Sequence, residues 1–204
     1  VQTCALPISP MTHGSPPALE TPPPAMLFTG FLLASAGALA SVVVFQFGFG
    51  ILPCVLCQWQ RLPHALAVLL AGVGVGQART ADPIRHPFRA TPWTTFTVLA
   101  GLLLLDHLAN TVLAGFHIGV EQHWWAGTAA CSGGAPAGLT AEQLSAQLLE
   151  TPVARCDQIP WALFGVSLAG FNFILSLLLT GAAAWTTLHF NAARIGSRAV
   201  KSTR

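Results

Sequence analysis

Four runs of apolar residues divide the chain, at about 26–49, 53–76, 93–118 and 160–188. A hydrocarbon layer about 30 Å thick needs roughly 20 residues of helix, so each run predicts a transmembrane span. The first, MLFTGFLLASAGALASVVVFQFGF, contains small-residue steps like those at signal-peptide cleavage sites. No Lys or Arg precedes it and the apolar run continues past those steps, so a retained span is expected. The second is polar over its first three turns and apolar afterwards, which places its start at the interface, and Pro63 predicts a kink there. Between spans three and four the pattern changes. Thr140 and Gln143 make a capping box, and Leu144 and Leu148 follow one helical turn apart, predicting a short amphipathic helix in a loop of about 119–159. Trp124 and Trp125 before that helix and Trp161 after it favour a position of the loop along the membrane surface. The expected fold is therefore an all-α membrane protein, a four-helix bundle over 26–190 with a short helix in its second outer loop.

Composition agrees and narrows the options. Of 204 residues, 53% are hydrophobic and 8% charged, which no soluble domain of ordinary composition matches. A net charge of +2 leaves nothing from which to build the basic face of a nucleic-acid binder. The few basic residues set the orientation, because Lys and Arg near short loops stay in the cytoplasm. Arg79, Arg85 and Arg89 lie between spans two and three, and Arg194, Arg198, Lys201 and Arg204 follow span four, whereas the opposite side carries Arg61 and Arg155. Both termini are then expected in the cytoplasm, with 191–204 a basic tail. Residues 1–25 are Pro-rich and without periodicity, a disordered tail by composition, with Met11 or Met26 as candidate starts.

The cysteines acquire meaning on this topology. Cys54 and Cys57 open span two and Cys131 and Cys156 sit in the outer loop, so four of five face the side where disulfides persist, with Cys4 alone in the tail. Such an arrangement suits two structural bridges, a four-thiolate metal site or a redox relay. A C-x-x-C at a helix start favours thiolate, the species that exchanges. Arg61 follows on the same helix face and can stabilise a thiolate or an anionic ligand. The wide separation of Cys131 and Cys156 fits a mobile disulfide better than a zinc site, whose ligands come as two close pairs, so no metal is expected. Gln58 after the second Cys, where His would be needed, excludes c-type haem attachment.

PCVLCQWQR at the start of span two, FHIGVEQHWW before the first loop Cys and RCDQIPWALFGVSLAGFN after the second resemble the disulfide bond formation protein B (DsbB) family over about 26–190. The resemblance implies an inner-membrane, quinone-dependent thiol:disulfide oxidoreductase. It also implies a periplasmic thioredoxin-fold dithiol partner, DsbA-like, and ubiquinone or menaquinone as acceptor from the membrane quinone pool. By the same resemblance, Cys131–Cys156 is the pair that the partner attacks, with Cys131 carrying the mixed disulfide. Cys54–Cys57 then receives the electrons, and Cys57 with Arg61 faces the quinone. Gln60 stands where some members carry Glu. Of two histidines near the outer end of span three, His117 and His123, the interface position favours His123 as the quinone-side residue. Vitamin K epoxide reductases also couple C-x-x-C to a quinone, with another motif order, and a non-catalytic scaffold with structural or metal-binding Cys is the alternative outside enzymes.

Asp106, His107 and Asn110 fall in the middle of span three, where ionisable groups usually carry function. They lie deeper than the cysteines, and the common face of Asp106 and Asn110 points to a hydrogen-bonded contact between helices. Gly30, Gly37, Gly72, Gly74 and Gly76 are expected to be close-packing positions.

Overall fold

A computed structural model of the protein describes residues 22–80, 93–132 and 154–202. The Pro-rich tail with Cys4, the basic link with Arg85 and Arg89, and the proposed loop helix around Thr140 to Leu148 lie outside the described residues.

Helix α1, Pro24–Val43, starts with Pro23 as its extended N-cap and Pro24 in the first turn, where a missing N–H costs nothing, and ends in a wider turn over Val44–Gly48. A short helix α2, Val55–Trp59, is capped by Cys54, whose sulfur accepts the Cys57 backbone N–H. Helix α3 is Arg61–Thr80. The expected kink is thus a break, placed at Gln60. The ring of Pro63 clashes with the carbonyl of the residue four earlier, Trp59, and that is where α2 ends. Helix α4 is Trp93–Glu121, and a single tight turn covers Ala129–Ser132.

The fourth apolar run does not begin as helix. Strands β1, Ala162–Leu163, and β2, Val166–Ser167, form a hairpin, and helix α5, Leu168–Ser202, follows. Phe164 and Gly165 both have positive φ, as a two-residue hairpin turn whose twist matches its strands requires. Ser167 then caps α5 by accepting the Gly170 N–H and donates its hydroxyl to Glu121, which ties the hairpin to the end of α4. Helix α5 also continues through most of the stretch expected to be a basic tail.

Three helices among the described residues are long and apolar enough to cross a membrane: Pro24–Gly48, Trp93–Glu121 and Leu168–Ala199. The fourth long helix, α3, carries Arg61, His64, Gln77 and Arg79 in its 20 residues. Helix α4 packs along α5 and α1 along α3, and α3 against α4 joins the pairs. Outward-facing Val98, Leu102, Leu105 and Val112 leave α4 an apolar flank suited to lipid.

Packing is driest at one end, where the rings of Phe28, Phe96 and Phe190 meet at centroid distances of 5.6 to 5.9 Å. Phe28 lies against Gly74, where a Cβ would run into the ring. Gly74 is therefore a close-packing glycine, whereas Gly30, Gly37, Gly72 and Gly76 face open space, correcting the expectation for those four.

Candidate active site

The other end of the bundle gathers the cysteines. Cys54, Cys131 and Cys156 are buried in one cluster with Leu56 and Val120, and Cys57 packs against it. The Cys54 and Cys57 sulfurs are 2.9 Å apart. Both precede α3, outside the long helices, and their environments pull them in opposite directions. The Cys54 thiol, which donates to Cys57 and is buried, is pushed up to about 12. Cys57 is lowered, first by that donated hydrogen bond and further by the Cys54 backbone, with burial opposing. Of the two, Cys57 is therefore the thiol that more readily gives up its proton.

Cys156 links Cys131 to α2. Its backbone N–H reaches the Cys131 carbonyl, its sulfur accepts from the Leu56 backbone in α2, and burial raises its thiol. The negative charge of Cys156 raises Cys57, and that of Cys54 raises Cys156, so the sulfurs of α2 and of the loop lie within electrostatic reach. Cys131, only 2% exposed, is held by a close approach to Gly127, where a Cβ would come within 2.8 Å of the Cys131 Cβ.

A cavity of about 170 Å³ opens beside Cys57, between α1, α3 and α5. Its walls are mainly apolar, with Leu39, Val42, Phe45, Ile51, Phe171 and Leu175, and Trp161 braces both phenylalanines from behind at 4.9 and 6.3 Å. The polar residues on the wall are Cys57, Gln60, Arg61, His64, Asn172, Ser41 and Gln46. Arg61 Nε and His64 Nδ1 are buried without a hydrogen-bond partner among the described residues. A flat apolar ring bearing polar oxygens fits such walls. The two unsatisfied atoms can differ in hydrogen-bonding sense, because guanidinium can only donate whereas an imidazole nitrogen can accept.

The structure brings Cys54, Cys57, Cys131, Cys156 and Arg61 to this end of the molecule. His123 goes elsewhere. It lies exposed on the turn after α4, with φ 59°, its Nδ1 on the Glu121 carbonyl, and it is absent from the cavity wall. The histidine against the thiols is His117, with Nε2 3.5 Å from Cys54 Sγ and 3.9 Å from Glu121, and Nδ1 2.9 Å from Gln60. His117 belongs to the buried stripe Leu103, His107, Asn110, Ala114, His117 and Glu121, a spacing visible in the sequence. His64 and Asn172 were not singled out from the sequence. His64 follows Cys57 and Arg61 at helical spacing, a signal that was available, whereas nothing local marks Asn172.

In mid-bundle, Asn110 donates to Ser176 at 2.9 Å across the α4–α5 contact, as a polar link between helices should. Asp106 does not share that role, since its buried Oδ2 has no partner among the described residues. His107 is fully buried under Phe31, ring centroids 6.0 Å apart. Cys54, Cys57 and His117 could together offer three ligand atoms to a metal ion.

Against this geometry, the profile of the disulfide bond formation protein DsbB family matches residues 24–186. The chain belongs to the DsbB family. It is a multi-pass membrane protein of disulfide-bond formation, and membership implies thiol oxidoreductase chemistry. It is also similar to the uncharacterised protein RP370 of Rickettsia prowazekii (strain Madrid E), 24% identical over 144 residues, 70% of this chain and 75% of that relative. No solved structure matches the chain.

Proposed function

We propose that the protein reoxidises a DsbA-like thioredoxin-fold dithiol partner at the periplasmic face of a bacterial inner membrane and delivers the electrons to ubiquinone or menaquinone. In this reading α3 is span two, which completes a set of four, and both termini are cytoplasmic. The observation that carries it is the cavity wall that joins the Cys57 sulfur to Arg61, whose buried Nε has no partner among the described residues, with the second Cys pair packed behind.

The exchange steps follow from where the sulfurs sit. A partner thiolate attacks Cys131 of the Cys131–Cys156 disulfide, forming the mixed disulfide and releasing Cys156 as thiolate. Cys156, lodged on the backbone of α2, attacks Cys54, and Cys57 leaves as thiolate. The partner's second thiolate then frees Cys131, which closes on Cys156 and releases Cys54. The net result is one partner disulfide and a Cys54 and Cys57 dithiol, so two electrons have moved inward. Raised Cys54 and lowered Cys57 suit this outcome, because Cys57 is the better leaving group. A bound quinone supplies the two-electron acceptor that returns this pair to the disulfide. Arg61 holds positive charge at the wall where negative charge must be accommodated, and the apolar residues exclude water. His117, donating from Nε2, orients the Cys54 sulfur.

The test is quinol formation from ubiquinone or menaquinone analogues on adding reduced partner. The intact chain should form quinol, and Cys57→Ser and Cys131→Ser should each abolish it. Quinol formation indifferent to both substitutions would leave the cysteines structural.

A further inference from the structure

Four hydrogen bonds link the Cys54 sulfur to the cavity wall, and their donors all point the same way. Asn172 Oδ1 lies 2.8 Å from His64 Nε2 and can only accept, so His64 Nε2 carries a proton. Asn172 Nδ2 donates to Gln60 Oε1 at 2.7 Å. The amide of Gln60 then has only its nitrogen to present to His117 Nδ1 at 2.9 Å, which makes Nδ1 the acceptor and leaves the proton on Nε2, beside Cys54. Asn110 Nδ2 also approaches His64 Nε2, at 3.3 Å, but its two N–H groups have acceptors in Ser176 at 2.9 Å and Asn172 Oδ1 at 3.5 Å, and the shorter 2.8 Å contact of Nε2 with Asn172 Oδ1 sets the assignment. Chains of this kind polarise in one direction.

The consequence falls on His64. With Nε2 committed as donor, Nδ1 keeps a lone pair, and this atom is buried and unpartnered in a ring that forms part of the cavity wall. His64 itself is 4% exposed. We propose that His64 Nδ1 is the hydrogen-bond acceptor for a ring hydroxyl in the cavity, with Asn172, Gln60 and His117 as positioning residues that hold this tautomer. The ligand class is then a hydroxyl-bearing aromatic ring, the reduced member of a quinone couple, with the hydroxyl proton resting between ligand oxygen and Nδ1. This rests on the reading of the cavity as a quinone-class site, and it adds which redox form His64 recognises.

The experiment uses redox-inert ligands on the full chain in detergent: an alkylated 4-methoxyphenol and the same molecule with its hydroxyl methylated. Binding is read by fluorescence of the tryptophans, among which Trp161 packs on the two cavity phenylalanines. The phenol should bind about five- to tenfold more tightly than the ether, the range of one net hydrogen bond. His64→Leu should make the two equal while the ether's affinity stays within about twofold, which also reports an intact fold. His64→Gln, whose amide oxygen can still accept, should recover part of the preference, and Asn172→Leu, which releases the tautomer, should reduce it. Equal binding of the two ligands by the intact chain, or a preference that survives His64→Leu, overturns the proposal while leaving the cavity a ring-binding site. Binding of neither ligand removes the quinone-class reading itself and this proposal with it.

Discussion

The two ends of the bundle are built by opposite rules. At one end Phe28, Phe96 and Phe190 close on each other and on Gly74, within a cluster of apolar side chains. At the other, α1, α3 and α5 stand apart around a cavity, and the contacts between helices run through Gln60, His64, His117 and Asn172. Dispersion packing makes the first end insensitive to charge and redox state. Directional bonds at the second hold particular protons and leave particular atoms unsatisfied. One end holds the helices together, and the other leaves room between them for chemistry.

Substitutions should separate these roles. The largest effect is expected for Cys57→Ser, which should reduce quinol formation to background without lowering resistance to unfolding in a denaturing detergent titration. Phe28→Ala should do the reverse, costing about 3–5 kcal/mol of stability in that titration while leaving the reactivity of Cys57 unchanged. A shared loss of activity and stability in both variants would mean that the two ends do not act separately. Asn110→Leu lies between them and should cost roughly 1 kcal/mol, the scale of a polar contact between membrane helices. At the small end, Asp157→Asn removes an exposed ion pair with Arg155 and should change neither quantity measurably.

Much of the working end was legible from residue spacing. Cys54, Cys57 and Arg61 are close in sequence and fall on neighbouring turns, so their company in the structure follows from helical geometry alone. Proximity to the interface favours His123 over His117, while burial in a helix follows phase: His117 continues the stripe of Asn110 and Ala114, and His123 lies beyond the helix end. Asn172 could not be read, because its partners Gln60 and His64 are more than a hundred residues away. The break at Gln60 was half legible. Pro63 announced a disturbance, and its position followed from which carbonyl the ring would strike. Residues 162–167 resembled the start of a span by hydropathy, but the Phe164–Gly165 turn formed a hairpin first.

The central claim is that Cys57, not Cys54, is the reactive sulfur facing the cavity, and alkylation of the reduced protein tests it most directly. With thiolate as the reacting species, a lowered Cys57 and a Cys54 held up to about 12 should give modification of Cys57 first, persisting as pH falls below the ordinary thiol range, with Cys54 silent near neutrality. Mass mapping after limited iodoacetamide treatment, with and without an alkylated phenol in the cavity, should find the label on Cys57 and should find it reduced by the ligand. Label on Cys54, or on Cys57 with no protection, would contradict the account.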